Sequence, residues 1–196
     1  MRFLLLNTGG TISSVSSSKG KRPELTSADL LRRAQPVNNR YSIDALDVLQ
    51  RDSTDIGPRE WRQLAHNIVD ADRQKNYDAY IILHGTDTMA YTAAALSLLL
   101  RDFPKTVLMT GAQRSADEPD FDGIDNLGQA IAAALEMSAD YAGVFLVFAG
   151  KVIHGCHAVK TDTRDLEAFS SIGAPPVAAV QADKLTAVNS GWHDKL

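Results

Sequence analysis

The chain has 196 residues, 44% hydrophobic and 22% charged, with a formal net charge of -4 and a single cysteine, Cys156. That length suits one good-sized α/β domain and is marginal for two, and the acidic balance leaves no electrostatic footprint for nucleic acid or an anionic membrane. One cysteine excludes an internal disulfide, and the N-terminal MRFLLLNTGG is too short for a signal-peptide core, so a cytoplasmic protein without a membrane span is expected.

Phe3-Leu4-Leu5-Leu6 reads as a buried strand that ends in Asn7-Thr8-Gly9-Gly10-Thr11, where two glycines let the backbone turn sharply and approach a ligand. Ser13 to Lys21 is polar, carries glycine and has no apolar period, which predicts a mobile loop and a candidate lid. Thr26-Ser27-Ala28-Asp29 matches a capping box and predicts a short helix through Arg33. Tyr41 to Leu49 is mixed in character. Asp52-Ser53-Thr54-Asp55 is a polar cluster before Gly57-Pro58, and Pro58 suits the first position of a helix carrying Trp61, Leu64, Ala65, Ile68 and Val69 on one face.

Tyr80-Ile81-Ile82-Leu83 is a second buried strand. It breaks at His84-Gly85-Thr86-Asp87-Thr88 and passes into a helix running to about Arg101. Thr106 to Met109 is a third, ending in Thr110-Gly111-Ala112-Gln113-Arg114 before an acidic loop over Ser115 to Gly123. Ile124 to Met137 is an alanine-rich helix, Val144 to Phe148 a further strand, Lys151 to His157 a strand or hairpin arm, and the tail from Gly173 has no clear pattern.

Strands that are continuously apolar and alternate with helices predict an α/β fold. The expected form is a mainly parallel, doubly wound sheet of the Rossmann or flavodoxin type, covered by helices on both faces. Three of its strands end in turns combining Gly with Thr, and a parallel sheet gathers such turns along its carboxyl edge.

Several chemistries compete for that edge. Phosphate binding is a minor reading, since neither a P-loop nor GxGxxG is present and Asp87 would repel an anion. His154, Cys156 and His157 are close in sequence, but a strand would put His157 on the opposite face from the other two, so packing is favoured over a metal site or a Cys–His pair. A hydroxyl nucleophile fits better: Thr11, Thr86 and Thr88 stand on these turns, and such a hydroxyl needs a base, which His84 or a lysine of lowered pKa could supply. Taken singly, each threonine is more often a helix cap than a catalyst.

Together these segments resemble the bacterial-type L-asparaginases, a family of threonine amidohydrolases. Thr8-Gly9-Gly10-Thr11-Ile12 and His84-Gly85-Thr86-Asp87-Thr88-Met89 are similar to the family's two signatures. Asp52 to Asp55, Thr110 to Gln113 with Asp122-Gly123 and Asn126-Leu127, and Lys160 to Thr163 with Phe169 resemble three further blocks in the family's order. The resemblance implies hydrolysis of L-asparagine to L-aspartate and ammonia through an acyl-enzyme. Thr11 would be the nucleophile, with Thr86, Asp87 and Lys160 as a second catalytic set. Gly10, Ser53, Thr54, Gly85 and Ala112 would line the substrate, with Ser53 taking its α-carboxylate. It implies no metal or organic cofactor, and a dimer or tetramer of identical chains acting on asparagine with some glutamine activity.

The alternatives are a glutaminase or relaxed amidase, a non-catalytic asparagine or aspartate sensor, and a tRNA-dependent amidotransferase subunit. Retention of Thr11, Thr86, Asp87 and Lys160 weighs against a sensor, and the acidic balance weighs against the amidotransferase. The whole chain is expected to form one domain equivalent to the family's N-terminal domain, without its smaller C-terminal one. The sequence departs from the family by having no tyrosine between Ile12 and Arg40; Tyr41 is the first after the nucleophile turn.

Overall fold

A computed structural model describes residues 1–17, 20–23, 25–34, 40–181, 184–186 and 189. In chain order the elements are β1 (Arg2–Gly9), β2 (Ser14–Ser17), β3 (Gly20–Pro23), α1 (Ser27–Ala34), β4 (Ser42–Arg51), α2 (Pro58–Lys75), β5 (Ala79–Leu83), α3 (Met89–Leu99) and β6 (Thr106–Thr110). They continue with α4 (Gly123–Met137), β7 (Gly143–Phe148), β8 (Lys151–His154), β9 (Ala158–Lys160), β10 (Phe169–Ser171), β11 (Ala178–Gln181) and β12 (Lys184–Thr186).

Eight strands form the main sheet in the order β12-β11-β8-β7-β6-β5-β1-β4. β4, β1, β5, β6 and β7 are mutually parallel, whereas β8, β11 and β12 extend the sheet antiparallel. The fold is therefore α/β and mainly parallel, as expected. Along β1 the side chains alternate between two cores. Phe3 and Leu5 pack with Leu30 of α1 and Leu127 of α4, and Leu4 and Leu6 pack with Leu64 of α2 and Leu96 of α3. Burial on both faces is why β1, β5 and β6 read as unbroken apolar runs.

Local chemistry explains the helix starts. Thr26 Oγ1 accepts from the Asp29 backbone N–H at 3.2 Å while the Asp29 carboxylate accepts from Thr26 N–H at 3.0 Å, a reciprocal cap on α1. Pro58 opens α2, and the Glu60 carboxylate accepts from Gly57 N–H at 3.1 Å.

One expectation is corrected. The polar stretch from Ser13 reads as a loop, but Ser14–Ser17 and Gly20–Pro23 pair antiparallel, with 18 and 19 outside the described residues. Such ladders are satisfied by the backbone, so they need no apolar period to form. Tyr41, the first tyrosine after Thr11, lies at the far end of β1 from it. Its ring stacks on Phe3 at 5.7 Å, near the start of β1, while Thr11 follows that strand's other end.

Candidate functional site

β1, β5 and β6 are neighbours in the sheet, so their three glycine turns emerge side by side. Thr8 Oγ1 donates to the Leu83 carbonyl at 2.9 Å, tying the end of β1 to the end of β5, and His84 N–H donates to Thr110 O at 2.9 Å, tying β5 to β6. The turns are packed backbone to backbone. A methyl group on Gly10 would lie 2.3 Å from Gly85 Cα, and one on Gly111 would lie 2.3 Å from His84 O. Gly10 also has φ 77° and ψ -171°, a region open essentially to glycine alone.

Ser53 closes one wall. It is buried on a short 3-10 turn, and a methyl on Gly85 would meet its Oγ at 2.8 Å. Gly85 is thus in contact with both Gly10 and Ser53, and Thr11 and Thr86 follow the two packed glycines on the turns after β1 and β5. Thr54 behaves differently: it is exposed, and its hydroxyl turns back to Asp52 Oδ1 at 2.8 Å. Ala112 is fully buried, between Gly111 and Gln113 on the β6 turn.

The second threonine sits in a hydrogen-bonded set. Lys160 Nζ donates to Thr86 Oγ1 at 2.8 Å and to Asp87 Oδ1 at 2.7 Å. The Thr86 hydroxyl in turn donates to Gln113 Oε1 at 2.9 Å, and Gln113 Nε2 donates to Asp165 O at 3.0 Å. Lys160 reaches Thr86 because β9 and β10 form a hairpin docked on the sheet: Phe169, paired with Lys160, is buried and meets Phe148 edge-on at 5.0 Å. The Lys160 side chain is 12% exposed and that of Asp87 62%, so the lysine is embedded while its acid faces solvent. Asp87 and Lys160 border a cleft of about 360 Å³ whose other walls include Tyr91, Ala94 and Val159.

His84 is no base for this set. It is fully buried, with Nδ1 2.7 Å from Gly85 O and Nε2 3.0 Å from Thr92 Oγ1, which also accepts from Trp61 Nε1 at 2.9 Å. Burial lowers its pKa to about 4 against the raising effect of the hydrogen bond the ring donates to the Gly85 carbonyl, so it is neutral and packed. His154 meets Phe145 edge-on at 5.7 Å, Cys156 is exposed, and among the described residues no group of three or more His, Cys, Asp or Glu side chains could hold a metal ion.

Sequence reasoning assigned no role to the residues that hold the β6 turn. The Asp122 carboxylate accepts from Gln113 N–H at 3.1 Å and from Arg114 N–H at 2.9 Å. Asn126 Nδ2 donates to Gly111 O at 3.1 Å and to Asp122 at 3.0 Å. The available signal was their place in the block of Thr110 to Gln113 with Asp122-Gly123 and Asn126-Leu127, which carried no role for either side chain.

Fold and site define an α/β protein in which two threonine-bearing glycine turns pack together at the carboxyl edge of a mainly parallel sheet. More narrowly, the chain belongs to the asparaginase family, whose N-terminal domain model matches residues 2–192. An L-asparaginase of Thermococcus kodakarensis is 34% identical over 186 residues, covering 94% of this chain and 55% of that protein. A glutamyl-tRNA(Gln) amidotransferase subunit of Methanosphaera stadtmanae is 35% identical over 191 residues, covering 93% of this chain and 42% of that protein. The structure of the thermostable L-asparaginase from Thermococcus kodakarensis superposes with a TM-score of 0.86 at 33% identity, over 97% of this chain and 58% of that one. A probable cytoplasmic L-asparaginase from Campylobacter jejuni superposes equally well, with a TM-score of 0.86 at 27% identity, over 96% of this chain and 57% of that one. The chain thus spans roughly half the length of these relatives, and the amidotransferase class, disfavoured from the sequence, stands beside asparaginase among them. Among the described residues no helix is long and apolar enough to cross a membrane.

Proposed function

We propose that the chain hydrolyses the side-chain amide of L-asparagine, giving L-aspartate and ammonia, with glutamine as a poorer substrate. The observation carrying this reading is the Lys160–Thr86–Asp87 set, hydrogen-bonded on a turn whose glycine packs against the glycine preceding Thr11.

In this reading Thr11 Oγ attacks the carboxamide carbon and its proton passes to the leaving nitrogen. Ammonia departs, a β-aspartyl ester remains on Thr11, and water hydrolyses it. Backbone N–H groups at Thr11 and Thr86 face the developing oxyanion, a term worth about 3 to 4 kcal/mol per donor in acyl transfer. Ser53 takes the α-carboxylate and Asp87 the α-ammonium group. In the water step Thr86 takes the proton of the attacking water as its own hydroxyl proton passes to the departing Thr11 Oγ, and Lys160 lowers the cost of that transfer. Gln113 accepts from the Thr86 hydroxyl at 2.9 Å and orients it. The chemistry needs no metal or organic cofactor.

The chain acts in this reading within a cytoplasmic homo-oligomer. Support comes from Tyr91 and Leu98, both exposed and seven residues apart on α3, with Tyr91 beside the Asp87–Lys160 cleft. A second reading, favoured by the 35% identity to an amidotransferase component, is ammonia release for a partner protein. Ammonia release from free asparagine and glutamine by the purified chain, Thr11→Ala and Lys160→Met tests both. Release that both variants abolish supports the first reading. Equal slow release by all three removes the catalytic assignment, and turnover only with added partner proteins favours the second.

A further inference from the structure

We propose that Asn7 is a positioning residue for the nucleophile turn, an inference that rests on the assignment of Thr11 above. Phe3 and Leu5 face the same core on β1, so the alternation calls for an apolar residue at position 7. An asparagine stands there instead, 1% exposed. A buried amide of this kind is costly unless every polar atom is paired.

Here all of its capacity is used, and on one target. Asn7 Oδ1 accepts from Gly9 N–H at 3.0 Å and from Ser13 Oγ at 3.0 Å, the residues two before and two after Thr11. Asn7 Nδ2 donates to Asp47 Oδ1 at 3.0 Å and to Leu25 O at 3.2 Å. Asp47 Oδ1 in turn accepts from Ser27 N–H at 2.9 Å, and Leu25 N–H donates to Ser13 O at 2.9 Å. Only one amide orientation satisfies these partners, because Gly9 N–H needs an acceptor and the Asp47 carboxylate needs a donor. The side chain therefore clamps both ends of Gly9–Ser13 to β4 and to the start of α1. Gly9 and Gly10 both have positive φ, at 99° and 77°, so the turn's own residues impose little backbone preference. Asn7 holds its two ends, and between them Gly10 N–H donates to Arg51 O at 2.9 Å while Gly10 O accepts from Ser14 Oγ at 2.8 Å.

Asn7→Asp keeps the acceptor toward Gly9 and Ser13 but sets a carboxylate against Asp47 and against the Leu25 carbonyl. The double variant Asn7→Asp/Asp47→Asn restores one donor–acceptor pair. Steady-state kinetics on asparagine, normalised to folded protein and run well below each variant's Tm, should show kcat reduced by about 10²-fold in Asn7→Asp with KM within about threefold, as expected for a displaced nucleophile. The double variant should recover about tenfold of that loss. Ser13→Ala removes a single clamp contact and should lower kcat by a smaller factor, which keeps the test open if Asn7→Asp does not fold. A residue serving stability alone would lower the folded fraction and leave kcat per folded molecule unchanged. That outcome, or a double variant no better than Asn7→Asp, overturns the proposal. Thr11→Ala measured alongside separates the two levels: if it retains wild-type turnover, the Thr11 assignment itself fails, whatever Asn7 does.

Discussion

Replacing Gly10 by alanine strikes the point where the two threonine turns meet. The backbone there sits at φ 77° and ψ -171°, which costs a non-glycine residue about 1 to 3 kcal/mol. The added methyl would also fall 2.3 Å from both Gly85 Cα and Gly85 N, backbone atoms that cannot rotate away. Overpacking of that kind adds about 1 to 3 kcal/mol, so the total loss is about 2 to 6 kcal/mol. For a chain of 196 residues this lowers Tm by about 4 to 24 °C. Relief of the clash must part the β1 and β5 turns, carrying Thr11 away from Thr86, and kcat should fall by at least about 10²-fold. Gly128 is the control: on α4, with open space where its methyl would go, alanine there should be neutral or stabilising by about 0.5 to 1 kcal/mol. Thermal melts and asparagine kinetics on both variants decide the matter. A Gly10→Ala protein with wild-type Tm and kcat would refute the reasoning.

Lys160→Met should lower kcat by about 10² to 10⁴-fold. Lys160→Arg keeps the charge beside Asp87 but puts a bulkier planar guanidinium where a compact ammonium bonds Thr86 and Asp87, and steady-state kinetics should find it nearly as impaired. Gln113→Met removes the acceptor for the Thr86 hydroxyl and should cost on the order of fivefold in kcat, about one neutral hydrogen bond. His84 and His154 are both held at about 4 by burial, below the ordinary 6.5, with the nearby His157 charge also lowering His154. A lowered histidine pKa means the unfolded chain binds the extra protons. Their stabilisation is therefore full above pH 6.5 and lost as pH falls to about 4, about 3 kcal/mol for the fully buried His84. Urea unfolding from pH 7 to 4 should have a shallower pH slope in His84→Gln; an unchanged slope removes His84 from this account.

How far the sequence reveals this molecule depends on which force shapes each part. β1, β5, β6 and β7 were legible because strands buried on both faces must be apolar throughout, and α2 because Pro58 and its apolar stripe mark its start and face. β4 was not, since its side chains are mostly half-buried or exposed and what holds it is parallel pairing with β1. The β2–β3 hairpin and the antiparallel β11 and β12 likewise depend on backbone partners that no local pattern records. At the site, the motif threonines, Asp87 and Lys160 could be picked out in advance. Gln113 and Asn7 could not, because their importance lies in bonds to residues distant in the chain, such as Asp165 and Asp47. Thr54 shows the converse, a motif residue whose hydroxyl is spent on its own turn.

The central claim is that Thr11 is acylated while Thr86 supports it. Rapid acid quench of the purified chain during asparagine turnover, followed by peptide mass mapping, tests this most directly. An aspartyl adduct should appear on the peptide carrying Thr11, lost in Thr11→Ala and retained, more slowly hydrolysed, in Lys160→Met. An adduct on the peptide carrying Thr86 instead, or one that survives Thr11→Ala, would contradict it.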